Sequence, residues 1–323
     1  MKLWRGGGAV ELRQLRYFLA LAEHRHFGRA AEALHIAQPT LSQQIKALED
    51  HLGTTLFERS RRHVILTPDG EALLPYAQRM IALAADARRE LQDRSRLLRG
   101  RIRLGATPTL GGHLLPRLLR RFHETFPGLD LTITEDGSDR LGRQLDEGLL
   151  DLALMVEEPG APHRAFDFLL EERILVAIPT AHPLAGERSV AIHQLRDESF
   201  ILCREGYHLR TLTVEACRAA GFVPRVTVSG TDVDTALRFV QAGMGITFIP
   251  EFVAGTATGV ATPLLADPPL QRRVGIAWNP QRYVSKAAST LHRFLREACH
   301  ELVRPDIAEK GDPAAPEGEG RLS

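Results

Sequence analysis

Between residues 12 and 66 short apolar runs follow one another in an order that leaves few folds open. Leu12, Leu15, Leu19 and Ala22 recur every three or four residues, which predicts a first helix over 12–24 with one buried stripe. A second short helix is expected over 27–34, where Ala30, Ala31 and Ala33 let another helix approach, before a tight turn at His35-Ile36-Ala37. Pro39 suits the first turn of a third helix, where its missing N–H has no partner to lose, and Gly53 suits the far end. Leu41, Ile45, Leu48 and Leu52 form that helix's inward face. Gln38, Thr40, Ser42, Gln43 and Lys46 point outward, a set of amides, hydroxyls and one amine that matches the bonding groups of base edges in a DNA major groove. On an isolated helix such a face is more often plain solvated surface. Here Leu56-Phe57 and Val64-Ile65-Leu66 follow as two short strands flanking Arg59-Ser60-Arg61-Arg62-His63, a basic hairpin tip suited to the phosphate backbone.

Thr67 can cap and Pro68 can open a long helix carrying Leu73, Ala77, Met80, Ala84, Ala87, Leu91 and Leu98. The alternating spacing is the 3.5-residue repeat of a coiled-coil seam, so a homodimer is expected. Arg88, Arg89, Arg94, Arg96, Arg99, Arg101 and Arg103 suit this helix to solvent between domains more than to burial.

From residue 101 onward apolar strands alternate with amphipathic helices, the pattern of an α/β domain. Strands are expected at 102–105, 129–133, 151–156, 174–178, 200–203, 226–228, 243–250 and 273–278. Helices are expected at 114–126, around Leu141, Leu145 and Leu149, and at 209–220, 233–242 and 285–302. Ligands of such sheets sit where helices begin, because helix N-termini present unpaired N–H groups. Thr107 and Thr109, Ser138, and Thr231 with Asp232 offer side-chain oxygens at three such places, although each alone reads more readily as a plain N-cap.

The composition, 44% hydrophobic and 25% charged with net charge +1, is that of a globular protein, and local clusters rather than total charge must attract DNA. Cys203, Cys217 and Cys299 are too scattered for a disulfide scaffold or a zinc site, and a reducing cytoplasm is the expected setting. No run reaches the roughly 18 apolar residues of a membrane span. Gly6-Gly7-Gly8 holds no regular structure cheaply, so the fold is expected to begin near Glu11 and translation at Val10. No GxSxG, Walker, HExxH or GxGxxG motif is present and the histidines lack ligand spacing, so no enzyme, metal or cofactor is expected. Residues 304–323 are rich in Pro, Gly and acid and read as a disordered tail.

The run AAEALHIAQPTLSQQIKALEDHLGTTLFER, unbroken from Ala30 to Arg59, resembles the DNA-binding domain of LysR-type regulators. The resemblance implies a winged helix-turn-helix over 11–68, with Gln38, Pro39, Thr40, Ser42, Gln43 and Lys46 near base edges and Arg29, Arg59 and Arg62 near phosphates. It implies a dimerising linker helix over 69–99 and an effector domain over 100–303 of two α/β lobes, like periplasmic solute-binding proteins. Lobe I comprises 100–171 with 274–303, and lobe II 172–273. Thr109, Ser138 and Tyr207 match effector-contacting positions, and a small organic anion is the expected effector. Family members assemble as tetramers on interrupted inverted repeats of double-stranded DNA, and RNA polymerase is a further candidate partner.

GATPTLGGHLLPRLLRRFHETFPGL is similar to the peroxide-sensing OxyR branch of that family. Ungapped alignment of EGYHLRTLTVEAC puts Cys217 on that branch's resolving cysteine and His208 on its reactive one, which an imidazole cannot replace in a disulfide. Asn279 also stands where the branch has an arginine. A thiol-based response through Cys203 or Cys217 is therefore the alternative to a bound effector.

Overall fold

The computed structural model describes residues 10–59, 64–92, 100–157 and 164–303. Its first unit is α1 (Leu12–His24), α2 (Phe27–Ala33), α3 (Gln38–Leu52) and an antiparallel hairpin of β1 (Phe57–Arg59) and β2 (Val64–Leu66). These elements follow the predicted order, but α1 turns a different face inward. Leu15, Phe18 and Leu21 are its buried apolar residues and Leu12 is 49% exposed. Phe18 takes the centre of that face, with its ring 5.3 Å from that of Phe57. Leu52 is likewise outside the core, because α3 ends at once in the left-handed Gly53 (φ 69°).

Helix α4 (Pro68–Gln92) starts as predicted: the Thr67 hydroxyl accepts a hydrogen bond from the Gly70 N–H at 3.0 Å and donates one to the Thr55 carbonyl at 2.7 Å. The predicted seam is only partly free. Ala77 is fully buried in the core of the first unit, where α1 crosses α4, whereas Tyr76, Met80, Leu83 and Leu91 form the exposed apolar side. Arg89 is not solvated either, since it pairs with Asp86 and Asp151. Leu98, Arg94, Arg96 and Arg99 lie outside the described residues, as do residues 1–9 and the tail from 304.

The larger unit begins with β3 (Gly100–Ala106), α5 (Pro108–His113), α6 (Leu115–Thr125), β4 (Leu129–Glu135), α7 (Ser138–Glu147) and β5 (Leu152–Val156). The long strand β6 (Ala165–Pro179) then leads to β7 (Ser189–Ala191), a 3-10 turn at Ile192–Leu195, β8 (Ser199–Cys203), α8 (His208–Ala219), β9 (Arg225–Thr231) and α9 (Val233–Gln241). After these come β10 (Thr247–Pro250), α10 (Glu251–Ala254), β11 (Val260–Ala261), β12 (Leu264–Ala266), β13 (Gln271–Trp278) and α11 (Lys286–Val303). The fold is α/β, with parallel pairing of β3 to β4 and β5 and of β8 to β9.

β6 is three times the length expected of it and carries the architecture. Its first part pairs antiparallel with β13 from Ala165 to Arg173, and its second part pairs with β10 from Ile174 to Ala177. One strand thus belongs to two lobes, each with its own core: Ile102, Leu104, Phe122, Ile276 and Leu291 on one side, Val176, Phe200, Phe248 and Val240 on the other. The alternation in 165–173 serves a surface that is buried only in part, which is why it gave no continuous apolar run. α5 was not expected because Gly111-Gly112 are poor helix formers, and Leu149 lies past the end of α7, 39% exposed. The strand expected from 243 starts only at Thr247, after positive φ angles at Gly243 and Gly245.

A Cβ at Gly70 would collide with the Leu56 carbonyl oxygen, a backbone atom that already accepts the Thr67 N–H. Gly70→Ala is expected to destabilise the first unit by about 1–3 kcal/mol, read as a lower midpoint of urea unfolding.

Candidate functional site

Two surfaces carry the predicted residues. On the first, Leu41, Ile45 and Leu48 hold α3 against the core of the small unit while Gln38, Pro39, Thr40, Gln43 and Lys46 are exposed and Ser42 is half-buried. The Glu49 carboxylate accepts the N–H groups of Leu56 at 2.9 Å and Phe57 at 3.3 Å, fixing the entry of the hairpin relative to α3. Arg29 is exposed in the first turn of α2, whose N–H groups at Gly28 and Arg29 are capped by His26 Nδ1. The backbone of Arg59 pairs with Val64; its side chain and the whole of Arg62 lie outside the described residues.

The second surface is a narrow cleft of about 30 Å³ between the lobes. Thr107, Thr109 and Ser138 come from the first lobe, and Tyr207, His208 and Val233 from the second. Four of the five predicted effector residues are brought together here, and Thr231 stands outside the lining. Ser138, His208 and Val233 are the first residues of α7, α8 and α9, so three helix N-termini open onto one space. A favourable field for negative charge follows.

Local reasoning missed the floor of this cleft. Arg272 and Glu172, opposite each other in the β13–β6 ladder, are 4% and 2% exposed and form an ion pair with N–O distances of 2.6 and 2.7 Å. Arg272 also donates to Thr109 Oγ1 at 3.1 Å, and the second Glu172 oxygen accepts the Phe252 N–H at 2.9 Å. The two partners lie far apart in the chain, so only the strand register joins them. Burial, with the Arg272 charge added, pushes the His208 imidazole down to about 4, so it is neutral near pH 7. Three buried atoms of the lining have no hydrogen-bond partner among the described residues: Thr107 Oγ1, Ser138 Oγ and His208 Nδ1.

A third cluster ties α4 to the first lobe. Asp86, 2% exposed, binds both Arg89 and Arg282. Asp151 accepts from Arg89 at 3.0 Å and from Arg103 at 2.6 Å. Burial pushes the Asp151 carboxyl up, but the hydrogen bonds and charges of Arg103 and Arg89 outweigh it and hold it below the usual range.

Residues 95–300 match the family model of the LysR substrate binding domain, and residues 12–71 that of the bacterial regulatory helix-turn-helix protein, lysR family. The chain belongs to the LysR family of transcriptional regulators. This LysR-family chain is 33% identical over 287 residues to an uncharacterized HTH-type transcriptional regulator, YybE of Bacillus subtilis, covering 88% of this chain and 98% of that one. It is 38% identical over 270 residues to a probable hydrogen peroxide-inducible genes activator of Mycobacterium avium, covering 82% and 86%. A full-length OxyR variant from Pseudomonas aeruginosa superposes with a TM-score of 0.71 at 30% identity, covering 91% of this chain and 95% of that one.

In this LysR-family chain the thiols are enclosed. Cys203 and Cys217 are buried, and burial pushes both up to about 12, with Asp232 adding to the effect at Cys203. A thiol in that state is protonated at neutral pH and a poor nucleophile. Among the described residues no group of three or more His, Cys, Asp or Glu could hold a metal, and no helix is long and apolar enough to cross a membrane.

Glu172→Ala, which strands a buried guanidinium, is expected to lower stability by about 3–5 kcal/mol, and the pair Glu172→Leu with Arg272→Met to recover most of that loss. Urea unfolding of the three proteins checks both. His208 binds a proton more readily unfolded than folded, so its contribution is complete above about pH 6.5 and is lost as pH falls toward about 4. His208→Gln should flatten the fall in melting temperature over that window.

Proposed function

We propose that this LysR-family regulator binds specific double-stranded DNA through the exposed face of α3 and is controlled by a small organic anion held between its two lobes. The observation that carries the first half is the polar face of Gln38, Thr40, Gln43 and Lys46 standing clear of the buried Leu41, Ile45 and Leu48. Amides, hydroxyls and an amine on a helix that enters a major groove supply the donors and acceptors that distinguish base pairs. Ser42 and Pro39 lie beside them, and Arg29, Arg59 and Arg62 are assigned to phosphates. In this reading residues 11–68 hold DNA, 69–99 dimerise and 100–303 sense the effector.

The apolar side of α4, with Tyr76, Met80, Leu83 and Leu91 exposed, supports a homodimer. Two such dimers would span an interrupted inverted repeat as a tetramer, and RNA polymerase would be contacted from that assembly.

The second half is supported by the convergence of three helix N-termini on a cleft that holds buried hydroxyls without partners. The names of peroxide-inducible relatives favour a thiol response instead. Against it stand the protonated, enclosed Cys203 and Cys217 and the imidazole of His208 at the cleft. A bound effector is the reading we adopt.

Selection of bound sequences from a random pool, followed by titration of the best site and a scrambled one, tests the DNA half. Gln43→Ala is expected to weaken specific binding by about 1–3 kcal/mol and leave scrambled DNA nearly unchanged. Arg29→Ala should weaken both alike and reduce the salt slope by about one. Equal losses for Gln43→Ala on the two DNAs would remove α3 as the reading element.

A further inference from the structure

Helix α2 is capped by a residue that is uncommon in that place. Ser, Thr, Asp, Asn and Gly are the usual N-caps, yet the chain has His26, whose Nδ1 accepts the N–H groups of Gly28 at 3.1 Å and Arg29 at 3.3 Å. A smaller side chain would do the same with one oxygen. What the imidazole adds is a second nitrogen on its far side. Two backbone donors at Nδ1 occupy its lone pair, so the ring carries its proton on Nε2. His26 is exposed, and its Nε2 makes no hydrogen bond among the described residues. Its place is also defined. Gly28 puts no side chain between α2 and α3: a Cβ there would lie 3.1 Å from His26 Cε1 and 3.8 Å from Gln38 Oε1. The imidazole therefore stands beside the first residue of α3, the exposed Arg29 lies in the turn it caps, and no acid stands in that turn.

Resting on the DNA reading above, we propose that His26 donates its Nε2–H to a phosphodiester oxygen of the DNA backbone, beside the phosphate assigned to Arg29, and so anchors the start of α2 while α3 reads bases. The contact is with backbone rather than with a base, because the groups suited to base edges lie on α3 and His26 precedes α2. It is a donor of a particular kind. Held by its two backbone bonds, the imidazole brings no net charge, and a neutral donor releases no counterion from DNA. Arg29 and His26 thus differ in a measurable way: the guanidinium contributes to affinity and to its salt dependence, the imidazole to affinity alone. Cap and contact are linked, since the bonds that order the first turn of α2 also aim the free N–H. An aspartate in this place would cap equally well and set a negative charge against the phosphate, whereas a serine would cap and fall short of it.

Titration of the full-length protein with the selected and the scrambled DNA at several salt concentrations tests this. His26→Ser is expected to weaken binding to both DNAs alike, by about fivefold at each salt concentration, with the salt slope unchanged. His26→Asp should weaken both at least about tenfold. Neither should lower the urea midpoint, because serine and aspartate are good caps. Single methylphosphonate substitutions along the selected site, each replacing one charged oxygen by a methyl group, should reveal a position at which the unsubstituted protein loses affinity and His26→Ser loses nothing further. Unchanged binding by both variants, a loss confined to the selected DNA, or the absence of such a position overturns this contact, while a Gln43→Ala that stays selective leaves the reading of α3 intact. Equal losses for Gln43→Ala on the two DNAs remove that reading, and the contact with it. A salt slope lowered by about one in His26→Ser makes the residue a cation and overturns the neutral donor. A loss of binding that tracks a lowered urea midpoint in both variants leaves His26 as a cap only and overturns the contact as well.

Discussion

The ion pair between Glu172 and Arg272 is the contact on which the sensing half of the molecule depends. Both side chains are almost fully enclosed, and they sit in the ladder where β6 and β13 pass from one lobe to the other. A lone charge at that depth would cost several kcal/mol; paired, and with its remaining bonds going to Thr109 Oγ1 and the Phe252 N–H, each is satisfied. The pair therefore fixes three things at once: the register of the crossing strands, the orientation of the Thr109 hydroxyl at the start of α5, and the position of α10. It also sets the cleft's net side-chain charge to zero while leaving a guanidinium close enough to keep His208 neutral.

Around that floor the fold arranges dipoles rather than free charges. α7, α8 and α9 all begin at the cleft because β4, β8 and β9 end near it, a consequence of parallel pairing with helices as the connections. Gly137 marks how close the lobes come: a Cβ there would collide with the backbone of Gly206 in the other lobe. His113 spans the same gap, reaching Asp234 at 3.3 Å and Thr256 at 3.4 Å.

A charged cluster ties α4 to the first lobe. Asp86 on that helix holds Arg282, and Arg89 reaches Asp151, which in turn accepts from Arg103 on β3. These are bonds between buried or half-buried ions, directional and costly to leave unmade, so α4 cannot rotate against the first lobe without exchanging partners. An effector need only favour one arrangement by about 1.4 kcal/mol to shift the population tenfold.

Periodicity alone determined the three helices and the hairpin of the first unit, because a small amphipathic domain must bury one stripe per helix and its neighbours in sequence are its neighbours in space. It misjudged which stripe where size mattered: Phe18 displaced Leu12, and Ala77 went to the core while Tyr76 and Leu83 took the exposed side. The hydroxyls of Thr107, Thr109 and Ser138 could be singled out because each opens a helix. Their partner groups could not. Glu172 and Arg272 meet through strand register across 100 residues of chain, and Asp86 meets Arg282 across 196. A sequence read in local windows carries the propensities of elements, whereas pairing of buried charges is a property of how those elements are brought together. The cleft's neutral floor was therefore decided by the tertiary structure, and the exposed polar face of α3 by the sequence.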